Sequence, residues 1–426
     1  MLSNFFGSID TNFPPSFHFS IDLLRIDLTR LLSLYDIITS NKTHKLFNGG
    51  GVVRKCFLVV LLIFAALMFA AEVTEVRIGA GWEMTGPIAG FGQMSWDGVK
   101  LAMKLRPTVK IAGKDVPVNV ILLDNKGDKA EAANVAKRLI DVEKVVAILG
   151  PCTSSCALAA GAIAEQKQVP MVTNTATNPL VTQNRRFIFR ACFVDTLQGE
   201  LLAKFAWEEF KAKKVAIFVD VAQDYVVGLA NYFKRAFAKF GGKFFEVYYN
   251  TGDQDFSAQL TYALAQNPDT IFLPGYYAEI ALICKQAREL GFKGNFLAGD
   301  GADAPELIEI GGKFVEGLCY TTYFHQDADL SPRTKPFVEA YMKEYNRRPD
   351  AFGALAFDAY NLVLDAIERA QSLDPVAIRD ALAATKDFVG VAGTISFPPD
   401  SGDPVKPAVI IQIKNGKPEL KTVVRP

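Results

Sequence analysis

Residues 118–149 read VNVILLDNKGDKAEAANVAKRLIDVEKVVAIL, and this stretch decides the fold. Residues 118–123 form a short apolar run of the kind that fills a strand buried on both faces. The period then changes. Lys129–Asp141 sets Ala132, Val135, Ala136 and Leu139 at helical spacing with charged residues between them. Residues 145–149 return to an apolar run. A strand precedes this unit at 76–79, and helices are expected at 91–105 and 153–168. Strand alternating with helix implies a parallel sheet covered by helices on both sides.

The alternation restarts downstream. Strands are expected at 214–219, 243–249, 270–273, 295–298 and 315–322, with helices at 225–240, 256–266 and 278–290 between them. The extended stretch 186–195 separates the two series and marks a first crossing between lobes. After Tyr323 a polar break leads into helices at 334–345, 352–371 and 375–385, whose simplest home is the first lobe. The tail, 393–397 and 409–414, reads as two strands joined by the turn-rich segment 398–407. The expectation is an α/β protein of two doubly wound parallel-sheet lobes joined by a multi-strand hinge. The first lobe takes 72–192 and 324–386, and the second takes 193–323 and 387–426. Hinged lobes of this kind close around ligands, and a length of 426 residues suits two cores better than one.

Ahead of the first strand, Arg54-Lys55 precede an apolar run from Cys56 to Ala71, with cleavage expected near Ala70 or Ala71. A basic segment, a short apolar core and small residues make a secretory signal, assigned to 52–71. The run is short for a membrane span of ~20 residues, and Cys56 stands at the wrong end for a lipid anchor. Residues 1–51 fit no part of a signal and read as an upstream extension, with Val52 or Val53 as a start. The expected location is periplasmic or extracytoplasmic.

Lys+Arg and Asp+Glu are both 46, so no broad field draws the chain to nucleic acid. Only three histidines exist, and His18 and His44 precede the expected mature chain. The remaining His325 makes His-based catalysis or a multi-His metal site a poor fit, and neither metal nor cofactor is expected. Cys152 and Cys156, four apart, fall on one face if both are helical; small buried hydrophobes are the simpler account.

In open parallel sheets ligands sit beyond the carboxyl ends of the strands. Residues 150–155 occupy such an end and open a helix, where free N–H groups and the helix dipole attract an anion, with Ser154 adding a hydroxyl. Capping of that helix by Thr153 or Ser154 is the plainer alternative. The loop containing Thr175 and Thr177 supplies carbonyls and hydroxyls nearby. Asp300, between Gly299 and Gly301, is a carboxylate with room for a ligand, or an Asx turn. Together these groups make a trap for a zwitterion, carboxylate at the helix end and ammonium at Asp300 and the Thr175–Thr177 loop. Phe91, Tyr225, Tyr276 and Trp82 are candidates to wall an apolar pocket.

Met84-Thr85-Gly86-Pro87 with Gly90-Phe91-Gly92, residues 150–155, Ala176-Thr177-Asn178-Pro179, Asp253 to Phe256 and Gly275-Tyr276-Tyr277-Ala278-Glu279 recur in order along the chain. In this the sequence resembles the Leu/Ile/Val-binding proteins, type I periplasmic binding proteins of ABC transporters. The resemblance implies that Ser154 and Thr177 hold a ligand's carboxylate and amino group. It also implies that the Thr175 carbonyl and Asp300 meet the ammonium and that Phe91, Tyr225 and Tyr276 line the site. Asp300 stands where the family's usual residue is glutamate. The implied function is capture of an amino acid, branched-chain or otherwise apolar, and delivery to an ABC transporter permease, with no catalysis.

Other readings differ in what they require. Gly79-Ala80-Gly81 after a strand suggests a dinucleotide-binding oxidoreductase, but Met84 occupies the third glycine position of G-x-G-x-x-G and Asp124 lies too far along. A hydrolase lacks a G-x-S-x-G elbow. A same-fold protein for an amide, a urea-like compound or an aromatic acid, or a ligand sensor, would not need the Asp300 charge to hold an amine.

Overall fold

The computed structural model describes residues 75–425; the expected upstream extension and signal lie outside them. The chain begins with β1 (Val76–Trp82), α1 (Ala89–Leu105), β2 (Thr108–Ile111), β3 (Lys114–Asp124), α2 (Lys129–Asp141) and β4 (Ala147–Leu149). It continues with α3 (Ser154–Lys167), β5 (Met171–Thr173) and β6 (Ile188–Arg190). These strands make one sheet in the order β2-β3-β1-β4-β5-β6. All pairs are parallel except β2 with β3.

Why this half folds so is visible in β1. Val76, Ile78, Ala80 and Trp82 point to one face and are fully buried. On the other face Gly79 lets α2 lie directly on the sheet: a Cβ there would sit 2.9 Å from Leu139 Cδ1. That close packing gives Gly79 its purpose without any dinucleotide. Asp128 caps α2, accepting from the Glu131 N–H at 2.8 Å. Asp124 is likewise engaged, accepting from the N–H groups of Met84, Thr85 and Lys126.

The second series runs α4 (Asp195–Glu208), β7 (Lys214–Asp220), α5 (Asp224–Lys239), β8 (Lys243–Tyr249), α6 (Ser257–Ala265) and β9 (Thr270–Leu273). It goes on through α7 (Tyr277–Glu289), β10 (Asn295–Ala298), α8 (Pro305–Gly311) and β11 (Cys319–Thr322). Then come α9 (Thr334–Tyr345), α10 (Ala351–Ala370), α11 (Pro375–Ala383), β12 (Phe388–Gly390), β13 (Gly393–Ile395), β14 (Ala408–Lys414) and β15 (Lys417–Val424). The second sheet has the order β15-β14-β11-β10-β9-β7-β8, parallel from β8 to β11 and antiparallel beyond. The chain passes between the sheets after β6, after β11 and ahead of β14. α10 returns to pack on α1, β2 and β4 of the first sheet.

Several expectations need correction. The segment 393–397 was placed with the second lobe. Instead β13 pairs with β12 in a small hairpin against α10, where the Asp358 carboxylate accepts from the N–H groups of Val391 and Ala392. Those N–H groups are buried and need an acceptor, and α10 supplies it. Strand β3 is not buried on both faces; Asn119 is exposed and residues 121–124 are half-buried. It lies next to the edge, with only the short β2 on its outer side. Cys152 precedes α3 instead of lying on it, so it and Cys156 share no helical face. The five cysteines among the described residues are all free and buried. The short strand β2, the seven-residue α8 and the edge strand β15 carried no expectation. β15 is rich in Lys, Glu and Pro, the composition that keeps an edge from pairing with other chains and that hides it from a hydrophobic pattern.

Candidate ligand-binding cleft

The carboxyl ends of the two parallel sheets face one another, and a cavity of about 220 Å³ lies between them. Its walls are Phe91, Cys152, Thr153, Ser154, Thr175, Thr177, Tyr225, Tyr276, Asp300, Gly301 and Phe352.

On the first-sheet side the loop after β4 opens α3. The N–H groups of Ser154, Ser155 and Cys156 have no intrahelical acceptor, and no side chain caps them. The preceding N–H groups, of Cys152 and Thr153, donate to Glu83 at 3.1 Å each, and the Thr153 hydroxyl donates to it at 2.8 Å. Thr153 therefore serves Glu83 and does not cap the helix. Burial raises the Glu83 carboxyl pKa, while these hydrogen bonds oppose the rise. Ser154 Oγ accepts from the Asn178 N–H at 3.1 Å, which leaves its own proton free to donate. The Thr177 hydroxyl is buried without a hydrogen bond of good geometry, and so is the Tyr276 hydroxyl. Buried donors left open beside a cavity are costly unless something fills it.

Arg190, buried at the end of β6, fixes the loop that carries Thr175 and Thr177. Its guanidinium donates to the carbonyls of Ala176 (2.5 Å) and Asn178 (3.0 Å) and to Thr182 Oγ1 (2.8 Å), and pairs with Asp403 at 2.6 Å. Beneath the other loop, Gly150 adopts φ +83°, and a Cβ there would meet Trp82 Nε1 at 2.3 Å. The indole thus supports the loop from below. Its Nε1 donates to Asn174 Oδ1 at 3.2 Å, and Trp82 is absent from the cavity wall. This corrects its placement as a pocket residue: the side chain at the end of β1 falls on the face covered by α1, against Trp96.

From the second sheet comes Asp300, just beyond β10. Its Oδ1 accepts from Gln198 Nε2 at 2.6 Å and the Tyr225 hydroxyl at 2.9 Å, and its Oδ2 accepts from the Tyr323 hydroxyl. It is no Asx turn. Burial pushes the Asp300 carboxyl up to about 7, against the lowering effect of the Tyr323 and Tyr225 hydrogen bonds. Asp195, reached by the same Gln198 amide at 3.3 Å, is pushed well above the usual carboxylate range by burial and by the Asp300 charge. A cation beside Asp300 would restore what burial takes away.

Aromatic rings close the sides. Phe91 stacks on Phe352 at 4.2 Å and meets Tyr276 edge-on at 5.7 Å; Tyr276 stacks on Tyr225 at 5.6 Å. The two halves touch: Ser155 Oγ donates to Asp224 at 3.0 Å, Asn178 Nδ2 donates to the Asp224 carbonyl at 2.7 Å, and the Tyr277 hydroxyl donates to the Pro87 carbonyl at 3.0 Å.

Seven of the residues singled out in sequence thus meet at one cavity: Phe91, Ser154, Thr175, Thr177, Tyr225, Tyr276 and Asp300. Sequence reasoning missed Phe352, Glu83, Gln198 and Tyr323. Tyr323 and Glu83 follow strand ends and were within reach of the strand-tip rule. Phe352 and Gln198 sit in helices and gave no signal. His325 lines no part of the cavity; its Nδ1 accepts from the Asp327 N–H.

Residues 75–418 match the model of the periplasmic binding protein family, and the chain belongs to that family. Membership implies an extracytoplasmic location. The Leu/Ile/Val-binding protein homolog 3 of Brucella melitensis is 30% identical over 362 residues, 82% of this chain and 95% of that protein. A leucine binding protein from Thermotoga maritima, known from its crystal structure, is 49% identical with a TM-score of 0.80, over 82% of this chain and 99% of that one. The branched-chain amino acid transporter substrate binding protein of Streptococcus pneumoniae, solved in complex with isoleucine, is 33% identical with a TM-score of 0.77, over 83% of this chain and all (100%) of that one.

Proposed function

We propose that this chain captures an apolar α-amino acid, branched-chain in the first instance, between its lobes outside the cytoplasm and hands it to an ABC transporter permease, without catalysing a reaction. One observation carries the ligand class. Unpaired donors at the start of α3 face, across a small cavity, a buried carboxylate that lacks a cation. The α-carboxylate takes the Ser154 and Thr177 hydroxyls and the helix end. The ammonium takes Asp300 and the Thr175 carbonyl. Phe91, Phe352, Tyr225 and Tyr276 receive the apolar side chain. Delivery to a permease rests on the relatives, which include a transporter substrate binding protein.

Binding favours the closed form because only there do both lobes contact one ligand. The hinge is taken to lie at 192/193 and 323/324. Titration calorimetry of the full chain with leucine, isoleucine, valine, phenylalanine, amides and benzoate tests the reading. Aliphatic amino acids are expected to bind, and Asp300→Asn is expected to weaken leucine about 100-fold or more, as for a buried pair losing one partner. Preference for benzoate or an amide, unaffected by Asp300→Asn, would overturn it.

A further inference from the structure

Tyr323 is buried where the chain leaves β11 and crosses between the lobes. Its hydroxyl donates to the Thr175 carbonyl oxygen at 2.9 Å and also hydrogen-bonds Asp300 Oδ2. Those acceptors come from opposite lobes. The ring is fixed by Phe193, with centroids 4.6 Å apart, and by the edge of Phe352 at 6.5 Å. Tyr323 lines no part of the cavity.

We infer that Tyr323 is a positioning residue for ammonium recognition: its hydroxyl sets the Thr175 carbonyl and the Asp300 carboxylate at the separation one ammonium bridges. The inference rests on the amino-acid reading of the cleft. A hydroxyl has one proton and here touches two acceptors, so neither acceptor is saturated. The Tyr323 hydroxyl holds both oxygens within reach of a single donor, and Thr175 and Asp300 both line the cavity. An ammonium has three protons and supplies what the hydroxyl cannot. The hydroxyl also steadies the Asp300 anion and lowers its pKa. The two acceptors come from opposite lobes, so the contact forms as the lobes close and sets their separation in the closed form.

Tyr323→Phe keeps the ring and removes the hydroxyl. Leucine affinity is expected to fall about tenfold or more, while affinity for isocaproate, the same skeleton without the amine, changes less than about twofold. The acid limb of the leucine affinity profile is expected to move to higher pH, because the Asp300 anion loses a donor. Equal weakening of both ligands, or an unmoved limb, refutes the inference. Should Tyr323→Phe fail to fold, fluorotyrosine at 323 keeps the shape and makes a stronger donor. The limb must then move to lower pH, and an unmoved limb again refutes the inference. A wild-type chain that binds no zwitterion removes the cleft reading itself, whereas wild-type binding with an indifferent variant removes this inference alone.

Discussion

The strongest quantitative consequence of the proposed function is that capture of an amino acid would depend on pH through Asp300. Burial pushes this carboxyl up to about 7. An ammonium seated beside it requires the ionised form. Two pH units below that value about 1% of the carboxyl is ionised, so affinity at pH 5 is expected to be about 100-fold below its alkaline plateau. At pH 6 the loss is about tenfold and close to one proton leaves per ligand bound. Burial, and the Asp300 charge after it, also raise the pKa of the neighbouring Asp195.

The same group acts on stability in the opposite sense to a salt-bridged carboxylate. Its folded pKa lies above the ordinary value of 3.8. The folded state therefore holds the proton more tightly than the unfolded state, and the stability this confers is present at low pH. It is lost as pH rises from about 4 to about 7, at about 1.4 kcal/mol per unit and about 4 kcal/mol in all. Leucine should reverse that loss, so the ligand-induced rise in melting temperature grows with pH. Titration calorimetry in buffers of different ionisation enthalpy reads the proton release directly. An affinity flat from pH 5 to 8, or proton uptake on binding, would refute the reasoning. Asp300→Asn should flatten the profile.

Ser154→Ala removes the proposed donor to the ligand's carboxylate and the acceptor of the Asn178 N–H; a loss of about tenfold or more in leucine affinity is expected by calorimetry. Phe352→Ala deletes the ring stacked on Phe91 and should cost about 3–5 kcal/mol in denaturant unfolding, with weaker selection for apolar side chains. Arg190→Ala leaves Asp403 without its buried partner and frees the loop carbonyls of Ala176 and Asn178. Stability should fall by about 3–5 kcal/mol, with leucine affinity reduced as well. Trp82→Phe breaks the bond to Asn174 beneath the loop; thermal stability should fall while the ranking of amino acids by affinity stays the same, and a changed ranking would return Trp82 to the cavity wall.

Strand tips bring together residues that are distant in sequence. Ser154 and Asp300 are separated widely along the chain, yet each follows a strand whose apolar run is plain, and each parallel sheet sends such tips to its own carboxyl edge; the three-residue strand before Thr177 leaves no comparable run. What escaped was what the local pattern does not encode. Phe352 looks like any apolar residue of a helix; only the return of α10 beneath α1 turns it toward the cleft. Trp82 looks like a pocket aromatic because it ends a strand, but the alternation of β1 puts it under α1. The hairpin of β12 and β13 reads as part of the tail until Asp358 of α10 is seen to satisfy its N–H groups.

By itself the amino-acid sequence determined the two series of strands and helices, since burial on both faces of a parallel strand and on one face of a helix leaves different periods in the chain. It also determined most of the residues at the strand tips. Tertiary structure alone decided which buried polar groups were satisfied. Glu83 answers the N–H groups of Cys152 and Thr153, whereas Thr177 and the end of α3 stay open and Asp300 stays without a cation. Hydrogen-bond satisfaction depends on distances of a few tenths of an ångström between groups far apart in sequence, and no periodicity records it.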